Sequence, residues 1–265
     1  MKYSIHSRRA LKCIAFAIIC LLMANAAWAQ KAPPAKYQSK EFEDALRLYI
    51  INHPEVVLES IRLFQERIQL AKQEASKDAV AAHEADLFLD PLNTPVKAPS
   101  GAVTVVEFFD YRCGYCRKMQ STVEKIAGGP AVRLIYKELP ILGTDSVIAA
   151  KAALASAKQG AYIKFHQALM NSPTPVTPET VDKLAAEMGL DGARLKTDME
   201  SPDIAASISR NEALAEALGI SSTPTFVIGK EIAPGALTEE ALRSLIESAR
   251  NKAKSAGAAV IGGSL

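Results

Sequence analysis

The sequence predicts an α/β fold with an inserted helical domain, preceded by an N-terminal helical extension, and three observations carry that reading. Val103 to Phe109 is a short run with β-branched and aromatic residues that reads as a buried strand. A helix to about Ala127 follows, stopped by Gly128-Gly129-Pro130, and Val132 to Leu139 reads as a second strand, completing one βαβ unit. From Thr144 to Gly219 the chain is helical and alanine-rich, with room for four or five helices between breaks at Gly160, Asn171 to Pro175, Gly189 and Ser201-Pro202. A strand pair, Thr225 to Ile228 and Glu231 to Pro234 across a Gly229-Lys230 turn, then leads into a closing helix from Thr238 to about Asn251.

Taken from the start, residues 1–29 have the order of a cleaved signal peptide. A basic beginning is followed by the apolar run Cys13 to Met23 and by Ala27-Trp28-Ala29 ahead of Gln30. The apolar run is short of the roughly 20 residues a spanning helix needs. Cleavage predicts a periplasmic protein and removes Cys13 and Cys20, leaving Cys113 and Cys116 as the remaining cysteines, in an oxidising compartment. It also removes four basic residues and no acidic one, so that a formal charge of +2 becomes −2. No basic surface is left to argue for nucleic acid. An apolar fraction of 49% over 265 residues is ample for a buried core and excludes a disordered chain.

Residues 30–38, with Pro33 and Pro34, read as a loose terminus, and Ser39 is placed to cap a helix from Lys40 to Asn52. The Asn52-His53-Pro54 break opens a second helix, from Pro54 to about His83. On it Val57, Ile61, Phe64, Ile68, Ala71 and Ala75 recur at spacings of four and three, a stripe that faces a partner helix. Folding back on the chain's own catalytic domain is one use of such a stripe. Homo-oligomerisation through residues 39–83 is favoured over it, because a helix this long buries little on itself. Leu87 to Leu89 is expected as a short edge strand, and the prolines between Asp90 and Gly101 as a boundary segment. The expected division is thus a helical region over 30–86, a catalytic domain over 87–251 with its insertion at about 144–219, and a flexible, glycine-rich tail over 252–265.

Cys113 and Cys116 fall where the helix after the first strand should begin. Cys113 is expected exposed at the first turn and Cys116 one turn on, facing inward, a spacing that lets the sulfurs approach. Amide N–H groups and the positive helix end favour a thiolate at such a first cysteine, and a thiolate both attacks and leaves readily. Cys116 would then resolve the mixed disulfide. A structural zinc would need four ligands, and no second cysteine pair remains; His53, His83 and His166 lie in predicted helices away from the pair in sequence. Cu(I) held by the two thiolates, with Met119, is chemically open, so a copper-handling thiol protein is the competing class. A purely structural assembly module would tolerate the loss of both cysteines.

Glu107-Phe-Phe-Asp-Tyr-Arg-Cys113-Gly-Tyr-Cys116, the helical insertion and Gly219-Ile-Ser-Ser-Thr223-Pro224-Thr-Phe-Val-Ile-Gly229 occur in an order that resembles the DsbA-like thioredoxin-fold proteins. The resemblance covers about residues 87–250, and with the amino-terminal helices the chain is most similar to the ScsC-like branch. It implies a thioredoxin fold and a protein disulfide oxidoreductase or isomerase. The redox-active disulfide Cys113-Cys116 would stand in place of any cofactor, and no metal is implied. It also implies a cis Thr223-Pro224 bond beside the cysteines, with Thr223, Pro224, Gly114 and Tyr115 facing the client. Glu107 would be a buried acid exchanging a proton with Cys116, although strand alternation alone does not require it to face the core. Implied partners are unfolded or misfolded secreted proteins and a membrane redox partner, DsbB-like or DsbD-like. Gly114-Tyr115 departs from the Pro-His of the family's best-studied oxidases, so one electrostatic partner of the thiolate is missing and a strongly oxidising potential does not follow.

Overall fold

The protein is described here from a computed structural model, which covers residues 39–89, 103–129 and 132–262. The expected leader, the loose terminus to 38 and the proline-rich boundary lie outside the described residues. The chain divides into two compact units, Met1–Arg67 and Ile68–Leu265, so the division falls inside a helix, and the last part of that helix belongs with the second unit.

In the first unit, α1 (Lys40–Asn52) begins as its cap residue dictates: the Ser39 Oγ accepts the Phe42 N–H at 3.2 Å. After the break at His53 the chain enters α2 (Pro54–Ala82), with proline at its first position. Neither α1 nor this part of α2 has a buried residue; Leu46, Tyr49, Val57, Ile61 and Phe64 are all exposed.

The second unit is built on a four-stranded sheet, ordered β2-β1-β3-β4, of β1 (Val103–Phe109), β2 (Val132–Glu138), β3 (Thr225–Ile228) and β4 (Glu231–Pro234). β1 runs parallel to β2 across the helix α4 (Gly114–Ala127), whereas β1 with β3 and β3 with β4 are antiparallel. The tight β3–β4 connection uses Gly229 at φ +61°, where a Cβ would also press on Ala249 at 3.2 Å.

Side chains alternate across the sheet and bury both faces. On one face Val105, Phe109, Leu134 and Phe226 pack against Cys116, Met119 and Val123 of α4, against Leu242 and Ile246 of α10 (Glu239–Gly262), and against the inserted helices. On the other, Val106, Phe108, Ile135 and Val227 meet Val80 of α2, Leu87 of α3 (Glu84–Phe88) and Leu214 and Leu218 of α9 (Pro202–Ala217). The insertion supplies five helices: α5 (Thr144–Ala157), α6 (Tyr162–Met170), α7 (Pro178–Glu187), α8 (Gly192–Met199) and α9.

Two expectations are corrected. Leu87 to Leu89 is not an edge strand but the end of α3: Leu87 is wholly buried while Leu89 is 74% exposed, and their amides bond to the carbonyls of His83 and Ala85 four residues back. The closing helix, expected to end near Asn251, continues as α10 to Gly262, with no proline to interrupt it.

Candidate functional site

β1 ends at Phe109 and the next four residues turn the chain into α4. The turn is held by Asp110, which is buried: its Oδ1 accepts the Arg112 N–H at 2.7 Å and the Ser146 hydroxyl at 2.8 Å, and its Oδ2 accepts the Leu142 N–H at 3.0 Å. The Cys113 N–H donates to the Asp110 carbonyl at 3.1 Å. Cys113 is thereby made the N-cap of α4, with extended backbone at φ −72° and ψ 113°, and its sulfur faces the Cys116 N–H at 3.5 Å. The other side of that sulfur meets the chain from β3, where the Thr223 carbonyl accepts the Cys113 S–H at 3.2 Å. The Thr223-Pro224 peptide is cis, and the Pro224 carbonyl is taken by the Gly235 N–H at 2.8 Å. The cysteines and the Thr223-Pro224 pair, 110 residues apart in sequence, thus form one site, with both thiols free.

Cys113 is less accessible than expected, at 6% exposure, because residues from both the α4 turn and the Thr223 strand entry cover it. Cys116 faces inward and is fully buried. Burial pushes its thiol well above the ordinary range; the nearby Glu107 and Cys113 add to the rise, and a hydrogen bond to the Asp110 backbone opposes it. Gly114 and Tyr115, between the cysteines, are exposed; the Tyr115 ring carries the Lys118 ammonium 5.8 Å from its centroid.

Glu107 lies in the core at 1% exposure. β1 alternates Val105, Glu107 and Phe109 on the α4 face, so the carboxyl is directed to the side of the sheet that carries Cys116. Its Oε2 has no hydrogen-bond partner, and burial, with Cys113 adding, pushes the carboxyl up to about 8. The alternative of a solvated strand glutamate is excluded by that burial. Met119 is also buried, and its Sδ accepts the Leu237 N–H at 3.0 Å, so this sulfur is already engaged away from the cysteines. Among the described residues no group of three His, Cys, Asp or Glu side chains is placed to hold a metal ion.

Sequence reasoning missed Ile141 and Leu142, each 45% exposed, in the loop that Asp110 binds to the cysteine turn. Arg112 reaches the same loop, donating to the Leu142 carbonyl at 3.3 Å. These bonds set the loop beside the turn that carries Cys113, with the Ile141 and Leu142 side chains exposed. An apolar Ile-Leu pair just past Pro140, which ends the second strand, was the available signal. Also missed was Arg117, whose guanidinium donates to the carbonyls of Met170, at 3.2 Å, and Ser172, fastening α4 to the end of α6.

Comparison with known proteins places this geometry. Residues 104–247 match the model of the DSBA-like thioredoxin domain. A thioredoxin-like oxidoreductase from Silicibacter pomeroyi shares 43% identity with a TM-score of 0.61, covering 63% of this chain and 97% of that one. A linker-deleted ScsC variant from Proteus mirabilis shares 26% identity with a TM-score of 0.62, covering 84% of this chain and all of its own. Among curated relatives, the Na(+)/H(+) antiporter NhaA 3 of Salinispora tropica is 30% identical over 165 residues, 61% of this chain; the chain spans only 25% of that protein. The chain belongs to the DSBA-like thioredoxin domain family.

Proposed function

We propose that the protein is a periplasmic thiol–disulfide oxidoreductase that forms or isomerises disulfides in secreted proteins, with Cys113 attacking and Cys116 resolving. The observation that carries the reading is the setting of the Cys113 sulfur, which lies between the helix-end N–H of Cys116 and the Thr223 carbonyl above a buried acid. The Cys113 thiolate attacks a client disulfide, forming a Cys113–client bond and releasing one client thiolate. Glu107 in its ionised form takes the Cys116 proton, and the Cys116 sulfur then attacks Cys113, expelling the second client sulfur as a thiolate and closing the Cys113-Cys116 disulfide. Run in reverse, the same steps oxidise a client dithiol. The redox-active pair serves in place of a cofactor.

Thr223 presents the backbone edge against which an extended client segment pairs, held in place by Pro224, whose own carbonyl is bound by Gly235, and the exposed Gly114 and Tyr115 face the same client. Isomerase behaviour is favoured if the exposed faces of α1 and α2 join copies of the chain, because several sites then surround one misfolded client. A DsbB-like or DsbD-like membrane protein would recycle the pair. Exchange on a scrambled-disulfide client tests the reading: reduced protein is expected to restore native pairing well above free glutathione. Tight stoichiometric Cu(I) binding with no such exchange would replace it with copper handling. The redox state of the pair in cells assigns the direction, fully oxidised for an oxidase and mostly reduced for an isomerase or reductase.

A further inference from the structure

The insertion contributes one fully buried imidazole, His166 of α6, which touches both sides of the cysteine turn. Its Nδ1 is 3.1 Å from the hydroxyl of Tyr111, two residues before Cys113. Its Nε2 is 3.3 Å from Oε1 of Gln120, four residues after Cys116 on α4. Tyr111 is in turn 3.1 Å from Glu138 Oε1, at the end of β2, and Tyr162 of α6 donates to that same oxygen at 2.8 Å. At the far end, Gln120 Nε2 donates to Glu124 at 3.0 Å.

Counting protons along this row fixes its direction. The Gln120 amide nitrogen is spent on Glu124, so its oxygen faces His166 and needs a donor: the Nε2–H. A neutral imidazole then presents a bare Nδ1, which requires the Tyr111 O–H. With its hydrogen committed to Nδ1, Tyr111 can meet Glu138 Oε1 only as an acceptor, the reverse of a tyrosine O–H donating to a carboxylate, and Glu138 must then be protonated. With an uncharged ring one arrangement satisfies the row, Glu138 to Tyr111 to His166 to Gln120 to Glu124; the charged alternative, an imidazolium donating to Tyr111 and Tyr111 to a Glu138 carboxylate, would bury two charges that touch only through a hydroxyl. We propose that His166 is a positioning residue that clamps the Cys113–Cys116 turn to the inserted domain, held as the neutral Nε2–H tautomer by a protonated Glu138 acting through Tyr111.

The surroundings agree. Burial pushes Glu138 up to about 8, with Asp110 adding to the rise and Tyr111 and Tyr162 opposing it. Burial pushes His166 down to about 3, and its ring packs among Phe109, Tyr111, Tyr136 and Tyr162 with no facing carboxylate to charge it. Below pH 8 Glu138 keeps its proton and the row is complete. As the pH rises through 8 the proton is lost, Tyr111 must turn its hydrogen to Glu138, and Nδ1 loses its donor. Glu107 titrates in the same range, which is why variants are needed to separate the two.

The link to client exchange rests on the proposed function, whereas the tautomer does not. Nitrogen NMR of the full chain, with the His166 signals assigned through His166→Gln, is expected to show a neutral Nε2–H ring from pH 5 to 7. The signature should shift near pH 8 in the parent and in Glu107→Gln but not in Glu138→Gln, whose amide keeps a donor. His166→Leu should exchange client disulfides about tenfold more slowly, and His166→Gln, which still accepts and donates, should recover most of the rate. An imidazolium at pH 6, an Nδ1–H tautomer between pH 5 and 7, or a His166→Leu variant with parental rate and pH profile would overturn the proposal. If the parent itself exchanges no client disulfide, the functional reading fails while the NMR arms still decide the clamp.

Discussion

Replacing Glu107 by Gln separates the cost of this buried carboxyl from its use. The folded protein holds the Glu107 proton up to about 8, against an ordinary value of 4.5. Because the folded-state value is raised, the folded form binds more protons than the unfolded form between these limits, and stability falls as pH rises through the window. The slope is about 1.4 kcal/mol per pH unit, so the loss is roughly 3 kcal/mol at pH 7 and levels off at ~5 kcal/mol above pH 8. Gln does not ionise and escapes this loss. Urea unfolding of the reduced parent and Glu107→Gln should therefore agree most closely at pH 4 and diverge in favour of Gln by several kcal/mol at pH 8.5. Glu138 titrates over a similar range but is present in both proteins and cancels. The variant should also lose its proton acceptor for Cys116 and exchange clients on the order of 10²-fold more slowly. A stability difference that is the same at pH 4 and pH 8.5 would refute the reasoning.

Other outcomes follow from packing. Removing residues before Ile68 should leave the second unit folded by circular dichroism. Removal through Asp86 should cost about 2–4 kcal/mol, since it strips buried Val80 from the core and the Asp86 carbonyl that accepts from Lys137 at 2.8 Å. Ile61→Glu with Phe64→Glu places charge on the exposed stripe of α2; if that stripe joins copies as proposed, the parent sediments as an oligomer and the variant as a monomer, with the proposed thiol exchange of the second unit intact. Arg117→Met should lower stability by roughly 2–3 kcal/mol in urea, because two carbonyls at the end of α6 lose a charged donor.

Much of the architecture was legible because local chemistry announces it. Ser39 caps α1, Pro54 opens α2, and Gly128 ends α4, each by backbone rules that need no tertiary context. The two strand pairs likewise lie where β-branched runs meet turn residues. The site was legible only in part. β1 is buried on both faces, so alternation alone could not say which side Glu107 takes; that depends on where α4 packs. The clamp is less visible still, since His166 lies 46 residues from Gln120 and 55 from Tyr111 in sequence, and nothing in its helical periodicity distinguishes it from an ordinary core residue. Leu87 was misjudged because burial, read without the rest of the sheet, does not separate a three-residue strand from a helix turn.

The most direct test of the account is a mixed-disulfide trap. Cys116→Ser, incubated with a disulfide-bonded unfolded client and digested without reduction, should yield client peptides joined to the Cys113 peptide by mass spectrometry, while Cys113→Ser should yield none. Client peptides joined to Cys116 in Cys113→Ser, or no adduct at Cys113 in Cys116→Ser, would contradict Cys113 as the attacking sulfur.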